Sequence, residues 1–249
     1  MEKLSDGQLS TFDTEYVTDR RWAPVQRCID RDFPDGRFSL LDVGGGNGLF
    51  ADRVLARYPN ASAVVLDSAA VLLDKNVPCP RKSVLNADVG SLERAVQGRF
   101  DVICFNWLLH HLVSRSYSES RENILRTLRT AAGLLTERGR FSIYENMYEG
   151  LLVRGAPSRL VYWATSSKLL AALARRGGAN TAGVGVCFLS EGQWRRDLGR
   201  SGLTILDYAA DDQWQVPLVR RVVLHIGSIR CGHFWARACE RGDAATAEL

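Results

Sequence analysis

Short apolar runs alternate along this chain with stretches of helical spacing. Residues 38–43, 63–66, 83–85 and 100–105 read as strands, the last of them apolar on both faces as a central parallel strand must be. Residues 49–58 and 69–75 read as helical, and so do residues 119–135, with Ile124, Leu125, Leu128, Leu134 and Leu135 on one face and Gly133 as a weak point. Residues 139–145 read as a turn plus a fifth strand that ends on Glu145. Ser190, with Gln193 three places on, is a capping box for a helix that runs to Arg200 and ends at Gly202. Residues 204–208 and 221–226 complete the pattern as the last two strands, with 211–214 as a loop between them. This alternation predicts an α/β fold with a Rossmann-like, doubly wound, seven-stranded sheet and ligands at the carboxyl ends of its strands.

Two segments break the rhythm. Residues 1–36 precede the first strand and read as one or two short helices with Phe12, Tyr16 and Trp22 as aromatic anchors. These rings either pack the segment onto the sheet or belong to a lid over a ligand. Residues 147–187, inserted after the fifth strand, hold an apolar, aromatic helix over 160–175 and a glycine-rich loop at 177–180. An insertion there lies above the ligand edge and is a natural acceptor-binding lid. The expected organisation is an N-terminal helical lid segment, 1–36, and one domain over 37–249.

The first strand runs straight into Gly44-Gly45-Gly46-Asn47-Gly48, and a helix follows. Such a loop brings bare main chain and helix N–H groups against a ligand. Gly44-x-Gly46-x-Gly48 is not the dinucleotide fingerprint, because Leu49 fills the sixth place. Two acids frame the loop: Asp42 closes the first strand, and Asp67 ends the second, twenty-three residues past Gly44. That is close to the spacing at which a carboxylate takes a ribose hydroxyl pair. The pattern predicts a nucleoside cofactor site.

These residues resemble the first two motifs of class I S-adenosylmethionine-dependent methyltransferases. The resemblance implies S-adenosyl-L-methionine as cofactor and S-adenosyl-L-homocysteine as product. It implies cofactor contacts from Asp42, Gly44, Gly46, Asp67 and Ser68. Asp88 with Val89 matches the adenine contact, though Asp88 also suits a helix N-cap. Asn106 and Trp107 border the cofactor. Tyr16 near the methyl group and Arg21 on the cofactor carboxylate are the lid reading of the N-terminal segment.

Methyl transfer to a phenol or enol needs a base, whereas a ring nitrogen needs only positioning. His110 and His111 directly follow the fourth strand, and Glu145 is placed to orient an imidazole. With 107–110 and Glu145 added, the chain is similar to the aromatic O-methyltransferases of plants and of bacterial antibiotic and toxin pathways. That resemblance makes His110 the general base and Glu145 its flanking acid. The chain departs from the pattern in three ways: His111 replaces an Asp, Phe188 stands where a second flanking Glu is usual, and the long N-terminal dimerisation domain is missing. Non-catalytic acceptor contact by either histidine is the alternative. A metal held by His110 and His111 is not expected, since adjacent residues rarely face one ion. Tyr16, Trp22, His111, Tyr148, Tyr162, Trp163 and Trp214 are candidates for stacking a flat acceptor, and each also suits a core position.

Composition narrows the partners. The chain has 249 residues, a net charge of +4 and 28 Arg against 4 Lys, with no block of five or six like charges and so no nucleic-acid footprint. Six cysteines form no C-x-x-C pair, which argues against a disulfide framework or zinc site and for a reducing compartment. No signal core or membrane-length apolar run is present, so a cytoplasmic monomer or homodimer without a membrane partner is expected. The expected activity is methylation of an O or ring N of a small aromatic or heteroaromatic secondary metabolite, with an azapteridine toxin precursor as the specific guess. Protein or RNA methylation and a catalytically silent cofactor-binding partner are the alternatives.

Overall fold

The computed structural model describes residue 8, residue 13, residues 17–176 and residues 181–239. Phe12, Tyr16 and the rest of residues 1–7, 9–12 and 14–16 of the proposed N-terminal lid, with the loop 177–180, lie outside the described residues. Seven strands form one sheet: β1 (Ser39–Val43), β2 (Ser62–Asp67), β3 (Lys82–Asn86), β4 (Phe100–Asn106), β5 (Leu135–Gly150), β6 (Leu203–Ala210) and β7 (Ile226–Ala238). Their order is β3-β2-β1-β4-β5-β7-β6. The first five are parallel, and β7 enters antiparallel between β5 and β6. The chain therefore switches direction about β1, which puts the β1 and β4 carboxyl ends side by side at the crevice where open α/β sheets bind ligands.

Helices cover both faces, as a sheet buried on both sides requires. α1 (Asp19–Asp32) and α2 (Leu49–Arg57) flank β1, and the short α3 (Ala70–Leu73) and α4 (Leu92–Ala95) follow β2 and β3. α5 (Tyr117–Ala132) buries Ile124, Leu125 and Leu128 as its spacing predicts, and Gly133 is its C-cap rather than an interior residue. Cluster cores lie on the two faces: Leu41, Ile103, Phe105 and Phe141 on one, Leu40, Val65, Val102 and Trp235 on the other.

Three expectations are corrected. β5 does not end at Glu145 but continues to Gly150, because β7 keeps pairing with it, from Phe141↔Ala236 to Gly150↔Ile226, after β4 has stopped at Asn106↔Tyr144. The insertion helix over 160–175 is two helices, α6 (Ala156–Ser166) and α7 (Ala171–Arg176). The strand expected at 221–226 is instead a helix, α9 (Leu218–Val223), and the true last strand is β7, C-terminal to it. Val222 and Val223 look like strand residues but are exposed, so β propensity misled where no sheet neighbour exists. The capping-box helix, α8 (Glu191–Arg200), forms as predicted, with Ser190 Oγ on the Gln193 N–H and Gln193 Oε1 on the Ser190 N–H.

Candidate active site

The glycine loop is fixed from several sides. The Gly44 N–H donates to the Leu66 carbonyl at 2.7 Å, and the Gly46 N–H donates to Oδ2 of Asp67 at 3.0 Å. The other oxygen of Asp67 accepts the Ala69 N–H at 2.8 Å. Burial pushes the Asp67 carboxyl up, against these N–H bonds, which favour the anion. Gly45 has no room for a side chain: a Cβ would lie 2.6 Å from Oδ2 of Asp42, itself buried. Gly48 opens α2 at φ +74°, a left-handed conformation that glycine adopts without strain. Asn76, which the sequence did not single out, donates from Nδ2 to the Gly46 carbonyl at 2.8 Å, and Lys82, paired with Asp52 at 2.5 Å, is buried beside Gly48. Asn76 and Lys82 are distant in sequence and carry no motif, so only the fold brings them to the loop.

The proposed lid reaches the same place. Asp13 accepts from Asn47 at 3.0 Å and from Lys75 at 2.5 Å. Arg21 pairs with Asp211 at 2.7 Å, and its guanidinium stands 5.1 Å over the Trp107 ring. Trp22 packs edge-on against Phe50 at 6.1 Å and lies under Arg53, the packing alternative for this ring. Asp88 caps the 3-10 turn 89–91, accepting the Gly90 N–H at 2.8 Å, while Ser68 is exposed and Val89 half-buried beside these turns.

At the head of β4 the backbone turns sharply. Trp107 has φ +53°, an uncommon left-handed conformation for a bulky residue. Its ring stacks on Tyr144 at 5.1 Å, and its Nε1–H donates to Asn146 at 3.1 Å. Both amide atoms of the preceding residue, Asn106, are buried without a hydrogen-bond partner among the described residues. An orphaned amide beside the glycine loop suits a polar ligand, and the main-chain cradle with the Asp67 carboxylate suits its nucleoside part.

The turn then delivers His110, whose Nδ1 lies 2.5 Å from Oε2 of Glu145. Oε1 of Glu145 accepts the N–H groups of Leu109 and His110 at 2.8 and 3.3 Å. Glu145 can do this because it is the first β5 residue beyond the partners of β4. Burial drives the His110 imidazole down and the Glu145 carboxyl up, the latter against the backbone N–H bonds to Glu145, which favour its anion. His111 lies 4.2 Å from His110, ring centre to ring centre, and burial lowers its basicity too. Phe188 lies 4.6 Å from His110, with Tyr148 stacked on it at 4.4 Å and 7°. The Cys187 N–H donates to the His110 carbonyl at 2.9 Å, which ties the end of the insertion to the site.

The remaining acceptor candidates do not converge there. Tyr162 is buried with its hydroxyl on the Ser114 carbonyl at 2.7 Å and serves as core. Trp163 is exposed on α6, and Trp214 is an exposed ring bridged through its backbone to Ile229. Among the described residues no group of three or more His, Cys, Asp or Glu is placed to hold a metal, and no helix is long and apolar enough to cross a membrane.

The strand order, the antiparallel β7 and the glycine loop between two acids define the class I fold of S-adenosylmethionine-dependent methyltransferases. Residues 41–141, from β1 into β5, match the family model described as a methyltransferase domain. No curated protein matches the chain. Among solved structures it is similar to CalO1, a methyltransferase in calicheamicin biosynthesis in its SAH-bound form, at 17% identity and a TM-score of 0.50, covering 88% of this chain and 56% of that one. It is similar to the mitomycin 7-O-methyltransferase MmcR at 18% identity and a TM-score of 0.52, covering 94% and 61%. A putative methyltransferase from Bacillus halodurans C-125 gives a TM-score of 0.59 at 12% identity, covering 88% and 100%. The chain thus spans little more than half the length of the first two. At these identities the likeness is one of fold.

Proposed function

We propose that this protein transfers a methyl group from S-adenosylmethionine to an oxygen or ring nitrogen of a small aromatic or heteroaromatic secondary metabolite. The observation that carries the reading is the buried His110–Glu145 pair, 2.5 Å apart, beside the glycine loop and walled by Phe188 and Tyr148. When bound, the cofactor supplies an electrophilic methyl group on its sulfonium. Asp67 and the loop main chain hold the nucleoside end, and Asn106 offers its amide to the polar remainder. Glu145 fixes Nδ1 of His110, which leaves Nε2 to take the proton of an acceptor hydroxyl. The stacked rings of Phe188 and Tyr148 orient a flat acceptor and keep water from it.

CalO1 and MmcR, by their descriptions, belong to the biosynthesis of calicheamicin and to 7-O-methylation of mitomycin, which supports an acceptor of the antibiotic or toxin kind. An azapteridine acceptor is the finest form of the reading. Its only support is the ring of Phe188 where a second acid would otherwise stand beside the base.

The test is label transfer from methyl-labelled S-adenosylmethionine to phenols, ring-nitrogen heterocycles, peptides and RNA. Label on a small aromatic or heteroaromatic acceptor is expected. Label on peptide or RNA would replace the acceptor class, and tight cofactor binding with no transfer would favour the silent partner.

A further inference from the structure

The side of the molecule that carries Tyr148 and Phe188 differs in composition from the rest. Residues 150–190 and 213–229 contain no Asp or Glu and seven Arg or Lys, and the acids that border them are engaged within the fold: Glu149 accepts the Glu191 N–H, Glu191 pairs with Arg195 and Arg230, and Asp212 pairs with Arg20. The two acid-free segments meet in space. The Leu151 N–H donates to the His225 carbonyl at 3.1 Å, and Val161, Val186 and Ile226 form one buried cluster that Tyr148, Phe188 and Leu224 join.

Apolar side chains protrude from these segments. Leu152 is 90% exposed, Leu169 96% and Trp163 64%, while α9 displays Leu218 and Val219 at 73% each, with Val222 and Val223 close behind. Isolated exposed apolar residues need no explanation, but an array of this size marks an interaction surface. Most of these tips have a cation next to them in sequence: Arg154 after 151–153, Lys168 before Leu169, and Arg220-Arg221 inside α9.

We propose that this face docks on an anionic lipid bilayer, with α9 and the tip at 151–153 entering the head-group region while the flanking cations meet lipid phosphates. Side chains this exposed protrude and fill no pocket of their own, which suits insertion into a fluid surface. Apolar residues with adjacent Lys or Arg are the pattern that the boundary between head groups and acyl chains accommodates, and the absence of acids removes repulsion from an anionic leaflet. A second copy packed through the same face about a two-fold axis would set one acid-free basic surface against another. An acidic protein answers the charge but not the protruding tips. The surface adjoins the aromatic wall of the site, so an apolar acceptor would enter from the lipid side. The inference departs from the expectation of no membrane partner, and it holds whether or not the chain transfers methyl groups.

The test is co-sedimentation of the full chain with vesicles of phosphatidylcholine containing about a third phosphatidylglycerol, and with pure phosphatidylcholine vesicles. The expected result is partition at least about tenfold stronger to the anionic vesicles, falling as salt screens the charges. Leu152→Asp with Val222→Asp should cut partition about tenfold or more at an unchanged melting temperature, and Leu152→Ser with Val222→Ser is the milder pair if the first folds poorly. Arg154→Gln with Arg221→Gln should narrow the difference between the two vesicles. Absence of binding to either vesicle, or binding that neither apolar pair alters, overturns the proposal. So does a dimer in light scattering that Val222→Asp dissolves, which would assign the face to a second copy. Capture on poly-glutamate beads without vesicle binding would assign it to an acidic protein.

Discussion

Nδ1 of His110 lies 2.5 Å from Oε2 of Glu145, while the other oxygen of that carboxylate holds the backbone N–H groups of Leu109 and His110. One side chain on β5 thus fixes both the ring and the main chain of the residue proposed as base. His110→Ala should lower turnover by about 10²-fold or more and leave cofactor affinity nearly unchanged. Glu145→Gln should lose a comparable factor, because its amide donates towards Nδ1 and moves the ring proton to Nε2, where a base must be bare. Initial rates with calorimetric binding of S-adenosylhomocysteine check both. Unchanged turnover in His110→Ala would leave catalysis to positioning of the reactants alone.

The cofactor loop makes a separate prediction. Asp67 ties Gly46 to the end of β2 through a 3.0 Å bond from the Gly46 N–H. Asp67→Ala removes that anchor and the carboxylate proposed for the ribose. Cofactor affinity should fall about tenfold or more, since a hydrogen bond to a charged group contributes about 1.5–3 kcal/mol. Asn76→Ala, which frees the Gly46 carbonyl on the other side, should give a smaller loss of the same kind. Titration calorimetry at one temperature ranks the two.

Much of this site was legible in sequence because its parts lie at strand ends. The Gly44–Gly48 loop, Asp67, His110 and Glu145 all end or follow apolar runs that form parallel strands, so strand order brings them together. The partners that came from elsewhere were not legible. Asn76 and Lys82 reach the loop through tertiary packing, and the stack of Tyr148 on Phe188 depends on β5 running five residues past Glu145. That extension exists only because β7 pairs with it, and the apolar run at 221–226 hid β7 by imitating a strand where α9 forms. A local pattern cannot tell an exposed apolar helix from a strand when neither has a periodic partner.

Acid stability should report a histidine outside the site. His233 is fully buried, with Nε2 3.0 Å from the Ser142 hydroxyl, and burial pushes its imidazole down to about 3. In the unfolded chain it titrates near ~6.5. Below that pH the unfolded state takes a proton that the folded state refuses, so stability is full above ~6.5 and falls as pH drops towards 3. Between pH 7 and 5 the loss is about 2 kcal/mol for this one group. Asp32, held down to about 2 chiefly by its bonds to Arg31, Trp235 and Arg140 against the cost of burial, loses its contribution only at lower pH. In the His110–Glu145 pair the raised carboxyl and the lowered imidazole act in opposite directions. His233→Gln should therefore be less stable at pH 7 yet lose about 2 kcal/mol less than the parent on going to pH 5. Urea unfolding at the two pH values measures this, and equal losses in both proteins would refute the assignment.

Phe188 is where acceptor chemistry can be shifted. Its ring lies 4.6 Å from His110 and 4.4 Å from Tyr148, so one residue sets both the surroundings of the base and the flat wall of the acceptor site. Phe188→Glu puts a carboxylate near the imidazole, which favours the protonated form and raises its pKa by about 1–3 units. Catalysis by a base needs the neutral ring, so the acid limb of the pH–rate profile should move to higher pH by a similar amount. The same variant loses the stack with Tyr148, and the KM for a flat acceptor should rise. Phe188→Leu separates the two effects: it removes the stack without adding charge, so KM should rise while the limb stays in place. A limb that moves equally in both variants would mean that the Phe188 ring shields the base from water, and that charge at this position is not what tunes it. A limb that moves in neither would place the rate-controlling proton elsewhere than on His110.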